Sequence, residues 1–177
     1  RLWQAVVPPG HSSPAIWNDY IFVTGVENGT LVVIALRRRD GMLLWRQRAP
    51  SDQLEKVHPF SNPAASTPAT DGQHVYTYFG SYGLLAYDFT GKEVWRKPLP
   101  APPTQFGAAT SPIVFDGKVI LQLDGNDGRS ELLAFDARTG DPVWRTPRPL
   151  LRESWSTPIV WTHDGLDEII AVGSNRL

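Results

Sequence analysis

One string, written three times, constrains this chain more than any other feature. Leu132 to Trp144 reads LLAFDARTGDPVW, Leu84 to Trp95 reads LLAYDFTGKEVW, and Val33 to Trp45 reads VIALRRRDGMLLW. In each copy a glycine stands four residues before a tryptophan: Gly41 and Trp45, Gly91 and Trp95, Gly140 and Trp144. Each copy reads as a strand, a tight turn and a second strand. Leucine, β-branched and aromatic residues form the extended runs, and a polar residue with glycine turns the chain. The tryptophans recur at intervals of 50 and 49 residues. Such a period marks a repeat architecture, in which one supersecondary unit buries its apolar face only against the next.

A second marker precedes each hairpin. Ser13-Pro14, Thr67-Pro68, Ser111-Pro112 and Thr157-Pro158 follow one another at 54, 44 and 46 residues. Between marker and tryptophan the third unit holds four strands: Ser111 to Phe115, Lys118 to Leu123, Leu132 to Asp136 and Pro142 to Thr146. Asp116-Gly117 between the first two is a strong hairpin signal. The second unit gives Pro68 to Thr70, Val75 to Phe79, Leu84 to Asp88 and Glu93 to Arg96. The first gives Ala15 to Trp17, Tyr20 to Thr24, Leu31 to Leu36 and Met42 to Arg46. Four strands in about 40–50 residues is the size of a propeller blade.

The expected fold is therefore all-β, a single β-propeller domain over 1–177 with three complete four-stranded antiparallel blades. The repeats span about 11–48, 66–97 and 109–146. Partial units are expected at 1–7, where Trp3 fits a fourth strand, and at 155–177. Propellers usually close with about four to eight blades, so the chain reads as part of a ring of about 6–8 blades whose remaining blades lie in a larger chain. It opens Arg1-Leu2-Trp3, without an initiator Met or a signal-peptide pattern, and reads as a processed, trimmed or partial chain.

Composition narrows the partners. Net charge is −1 with both signs interspersed, which gives no reason to expect nucleic acid. No apolar run reaches the roughly 18 residues of a transmembrane helix. The absence of cysteine excludes disulfides and thiolate metal sites.

The repeated residues carry a resemblance. The pattern A-x-D-x-x-T-G-K-x-x-W marks the PQQ-like, or quinoprotein-type, β-propeller repeat. Ala134, Asp136, Thr139, Gly140 and Trp144 match it in register, and Ala86, Asp88, Thr90, Gly91, Lys92 and Trp95 match with one residue deleted. Ala35, Gly41 and Trp45 match, while Arg37 replaces the Asp and Asp40 the Thr. The chain resembles extracytoplasmic bacterial PQQ-binding-like propeller proteins and the propeller lipoprotein of outer-membrane protein assembly. The resemblance implies a bacterial, periplasmic or secreted location. It also implies that each tryptophan docks on the neighbouring blade with its indole over the turn glycine. A large flat ring and a residue without Cβ suit that contact on physical grounds as well.

Chemistry is expected away from these rivets. In a four-stranded meander the loop into strand one and the loop between strands two and three share a face. Here that face carries the longer loops, where function concentrates over a rigid scaffold. Its candidate binding residues are His58, Phe60, Tyr82, Phe106, Arg152 and Trp155, with Asn62, Asp127 and Glu153 beside them. For any one of them, packing or solvated loop charge is the plainer account. Asp124-Gly125-Asn126-Asp127-Gly128 offers oxygen ligands but lacks the EF-hand spacing, and reads as a turn. His11, His58, His74 and His163 show no zinc spacing. No G-x-S-x-G elbow or P-loop occurs. Many quinoprotein dehydrogenases place a vicinal Cys pair over the cofactor, with an Asp base and Glu and Asn calcium ligands; none of these maps onto this sequence. The expectation is a non-catalytic scaffold without a cofactor, binding a protein or small-molecule ligand through its variable face. The alternative is a portion of a PQQ- and calcium-dependent dehydrogenase of alcohols or sugars.

Overall fold

The computed structural model describes residues 2–174; Arg1 and residues 175–177, the outer limits of the two partial units, lie outside the described residues. Fourteen strands and no helix are found among them. They are β1 (Ala15–Trp17), β2 (Tyr20–Glu27), β3 (Thr30–Arg37), β4 (Leu43–Arg48), β5 (Ala69–Thr70), β6 (His74–Phe79) and β7 (Gly83–Asp88). The chain continues with β8 (Glu93–Pro98), β9 (Ile113–Phe115), β10 (Lys118–Leu123), β11 (Glu131–Asp136), β12 (Pro142–Pro147), β13 (Ile159–His163) and β14 (Leu166–Ile170).

Three antiparallel meanders, β1-β2-β3-β4, β5-β6-β7-β8 and β9-β10-β11-β12, are followed by the two-stranded β13-β14. These are the three blades and the partial fourth unit read from the repeats. The innermost strands adjoin one another, β1 against β5 and β5 against β9, so the sheets fan from a common hub. Residues 2–7 form no ladder, yet alternate between exposed and half-buried down to Ala5, like an outer strand laid on blade 1. Ala5 packs on the face made by Val32, Ile34 and Leu36.

The walls between blades explain the motif residue by residue. Trp45 is covered by Phe22 on its own blade and Tyr87 on the next, with ring centroids 5.9 Å away in both cases. Its Nε1 donates to Phe89 O at 2.9 Å. Trp95 repeats the arrangement on blade 3, donating to Ala137 O at 2.8 Å, and Trp3 on blade 1, donating to Arg38 O at 2.9 Å. Beneath them lie Gly91, Gly140 and Gly41, all at positive φ. A Cβ on Gly91 would stand 2.8 Å from Trp45 Cγ, and one on Gly140 2.7 Å from Trp95 Cδ2. Trp17 lies over Gly72 in the same way.

The repeated alanine has its own reason. Ala35, Ala86 and Ala134 pair directly with Trp45, Trp95 and Trp144, and the ladder shifts register immediately after each. A small residue leaves room for the indole where the bulge turns the outer strand. Trp144 packs against Ile120 and Ile169 at the partial fourth unit. No turn glycine lies beneath it among the described residues.

The Ser/Thr-Pro markers prove to be inter-blade couplings. Ser13 N donates to Thr67 Oγ1 (3.0 Å), Thr67 N to Ser111 Oγ (2.9 Å) and Ser111 N to Thr157 Oγ1 (3.1 Å). The preceding residues add a second rail: Thr24 Oγ1 donates to Ser66 O (3.1 Å), Ser66 Oγ to Thr110 O (2.5 Å) and Thr110 Oγ1 to Ser156 O (3.0 Å). This engagement holds Ser111 and Pro112 out of the ladder, so the first strand of blade 3 begins at Ile113.

Two outcomes follow for the intact protein in denaturant melts. Trp95→Ala should cost about 3–5 kcal/mol, the usual range for removing a buried Trp, and more than Trp144→Ala, whose ring is only half-buried. Ser66→Ala leaves the buried carbonyl of Thr110 unmet and should cost about 1–3 kcal/mol. Equal losses at the two tryptophans would contradict the docking geometry.

Candidate functional site: an aromatic row on the loop face

Three connecting segments cross from one blade to the next on the same face: residues 49–68, 99–112 and 148–158. Each contributes aromatic side chains, and these meet. The ring centroids of His58 and Phe60 are 5.1 Å apart, those of His58 and Phe106 4.9 Å, and Phe106 meets Trp155 edge-on at 5.2 Å. The result is a continuous row, Phe60–His58–Phe106–Trp155, over blades 2 and 3. Phe60 is 87% exposed and Trp155 37%. Trp155 is fixed nonetheless, since its Nε1 donates to Gly107 O at 3.0 Å. A shallow cleft lined by Glu153, Ser154, Ser156 and Ser174 adjoins its ring.

Two carboxylates hold the middle loop from opposite sides. Glu55 Oε2 accepts from Ala108 N at 3.0 Å, while Glu55 N donates to Ser81 Oγ at 2.9 Å. From the other side Glu153 Oε2 accepts from Gln105 N. Phe106 stands between the two anchored amides. Glu55 lies close against Gly80 and Gly107, and its burial raises its pKa above the ordinary 4.5.

A second buried polar group ties blade 3 to the partial fourth unit. Gln122 Nε2 donates to Asp124 Oδ2 (2.7 Å), Val172 O (2.7 Å) and Ser154 Oγ (3.3 Å). Arg148 Nη1 approaches Asp124 Oδ2 at 3.3 Å, and its Nη2 donates to Ala171 O at 3.1 Å. Burial pushes the Asp124 pKa up, and Arg148 and Gln122 pull it back.

The remaining candidates are not part of the row. Tyr82 packs on the wall between blades 1 and 2, beside Arg96. Arg152 is exposed, and its amide donates to Ser174 Oγ. Asn62 Oδ1 accepts from Ala64 N within its own turn. Asp127 pairs with Arg129, and Asp124 meets Arg148 through Oδ2 alone. His11, His74 and His163 lie apart from His58, and no group of three His, Cys, Asp or Glu side chains among the described residues is placed to hold a metal.

Sequence reading missed Glu55, Gln122 and Arg148. Two of them carry a faint signal. Gln122 interrupts the apolar run VILQL, and Arg148 stands four residues after its tryptophan where the other blades have Ala49 and Leu99.

Fold and site together define a portion of a β-propeller of four-stranded blades, carrying a clamped aromatic row on its loop face. The chain belongs to the family described as "Outer membrane protein assembly factor BamB", whose model matches residues 1–176. Among solved structures it is similar to BamB from Moraxella catarrhalis, at TM-score 0.68 and 22% identity over 92% of this chain. It spans 44% of that protein's length. It is also similar to the quinohemoprotein alcohol dehydrogenase of Comamonas testosteroni, with TM-score 0.60 and 25% identity, covering 78% of this chain and 21% of that one. The computationally designed protein Ika4 shares the fold at TM-score 0.56 and 13% identity, over 98% of both chains. None of the curated proteins matches.

The clamp has a pH signature. A carboxyl whose pKa is raised on folding contributes stability below its unfolded value of 4.5, and that contribution is lost as pH rises through the folded value. Glu55→Gln keeps the acceptor for Ala108 N without the buried charge. It should therefore match or exceed the wild type in denaturant midpoint at neutral pH and flatten the pH dependence above the ordinary carboxylate range. A steep loss at neutral pH would mean that the ionised form is required.

Proposed function

We propose that this chain is part of a non-catalytic, extracytoplasmic scaffold that docks a protein partner through its loop face. The observation that carries the reading is the row Phe60–His58–Phe106–Trp155, exposed at Phe60 and at Trp155, with Trp155 fixed by its indole N–H and Phe106 held between two anchored amides. Rigid aromatic side chains bind at small entropic cost and dominate protein interfaces. Family membership supports the same reading, because the family is described by an assembly factor. It also favours a bacterial setting outside the cytoplasm, with the remaining blades in a longer chain and no quinone or metal ion required.

A second reading, a portion of a quinoprotein dehydrogenase of alcohols or sugars, draws on the likeness to the Comamonas enzyme. Less supports it on the loop face, where Glu55 and Glu153 hold backbone amides.

The intact protein and its Phe60→Ala and Trp155→Ala variants test the proposal by quantitative crosslinking to envelope proteins of the source cell. Each substitution should weaken capture of the same partner by roughly thirtyfold, the effect of a hot-spot loss of about 2 kcal/mol, and Phe60→Ala should leave the melting temperature unchanged. Addition of PQQ and calcium should produce neither a bound-quinone spectrum nor dye-linked alcohol oxidation. Either signal would establish the dehydrogenase instead.

A further inference from the structure

A narrow cavity lies between blades 2 and 3, beneath the loop that carries Phe106. Tyr78, Gln122 and Asp124 line its polar side, and Pro102, Ala108 and Leu123 close the apolar side. Tyr78 and Gln122 are the fifth residues of β6 and β10, so neighbouring blades present them at the same height. All three polar residues are at least 97% buried. Tyr78 Oη, Gln122 Oε1 and Asp124 Oδ1 make no hydrogen bond to protein atoms.

The roles of the three atoms are settled by their surroundings. The two hydrogens of Gln122 Nε2 serve Asp124 Oδ2 and Val172 O, with Ser154 Oγ a longer contact at 3.3 Å, which fixes the amide and leaves Oε1 without a protein partner. Burial, reinforced by the negative charge of Glu55, keeps Tyr78 a neutral phenol with one hydrogen to give. Asp124 uses Oδ2 for Gln122 and Arg148 and has Oδ1 left over. Buried polar groups of this kind are costly to leave unmet, so each calls for a partner.

We propose that this cavity is a binding site for one water molecule, which accepts from Tyr78 Oη and donates to Gln122 Oε1 and Asp124 Oδ1. The one donor and two acceptors match a buried water's usual complement of about three bonds. The free space admits a single molecule of that size. A metal cation would have to share Asp124 with the Arg148 guanidinium, whose Nη1 is 3.3 Å from its carboxylate. Ser154 and Thr104, on the loops that carry the aromatic row, also line the cavity, so the water stiffens the floor under that face. The inference is independent of what docks above it.

High-resolution crystallography and water relaxation dispersion on the intact protein test it. The expected result is one fully enclosed density peak within hydrogen-bonding distance of all three atoms. The long-lived water signal should fall by about one molecule in Gln122→Leu. Tyr78→Phe, which removes only the hydroxyl, gives the same reading if Gln122→Leu does not fold. A dry cavity, a direct Tyr78 Oη–Gln122 Oε1 bond, a peak with metal coordination, or an unchanged signal in the folded variants would overturn the proposal.

Discussion

The structure depends on an indole lying flat on a glycine of the next blade. The contact couples three things at once. The ring buries apolar area between two sheets, its N–H meets a carbonyl in the neighbouring turn, and the glycine beneath it occupies a left-handed conformation that closes that turn. Any side chain at Gly91 or Gly140 would enter the indole. The spacing of four residues between Gly and Trp is the consequence. It lets a blade receive its neighbour's indole on its own turn and give its own indole to the next: blades 1 and 2 do both, and blade 3 receives Trp95.

What the turn needs is geometry, and two chemistries supply it. In blades 2 and 3 an aspartate caps the turn: Asp88 Oδ1 accepts from Thr90 N (2.8 Å) and Lys92 N (3.0 Å), and Asp136 Oδ1 from Arg138 N and Thr139 N (both 2.9 Å). The Thr90 hydroxyl, which also donates to Asp88 Oδ1 at 2.6 Å, leads in lowering the Asp88 pKa, with its amides adding to it, and the Thr139 and Arg138 amides lower that of Asp136. Blade 1 reverses the polarity. Arg37 stands where the aspartate should be and donates through Nε to Asp40 Oδ1 at 2.9 Å, while Met42 N donates to the same oxygen at 3.1 Å. The Asp40 carboxyl is held down to about 2 by Arg37, with help from the Met42 amide. The departure from the repeat pattern at Arg37 and Asp40 is thus a paired exchange that preserves the seat for Trp3.

Such features were legible in the sequence because they repeat. Strand order, the three tryptophan–glycine pairs and the position of Trp3 all follow from a period that any copy can check against the others. The loop face has no such redundancy. Phe106 and Trp155 are 49 residues apart in sequence, and only the fan of the blades brings their rings together. Tyr82, in a loop of the same face, is drawn instead onto the wall between blades 1 and 2. The Ser/Thr-Pro markers were visible as punctuation, but their hydroxyls act between blades, a relation that a single repeat does not reveal. Gln122 and Arg148 are breaks in the pattern, and a break states that something differs without saying what it touches.

The same scaffold can carry an assembly factor or an oxidoreductase, because hub and rim are held by the ends of the connecting segments and by the outer strands, and make no use of the loop tips. The hydroxyl rails fix the blades at the centre and the indoles fix them farther out. The face above is then free to be specified by its own side chains. In this chain three buried or half-buried charges of that face serve the loops themselves: Glu55 and Glu153 hold backbone amides, and Arg148 answers a buried aspartate. Arg152 stays exposed beside them. Between the two anchored amides Phe106 links the aromatic row, whose end members Phe60 and Trp155 are exposed. The division of labour follows from electrostatics, since a carboxylate buried without its amide partners would unseat the loop it now anchors.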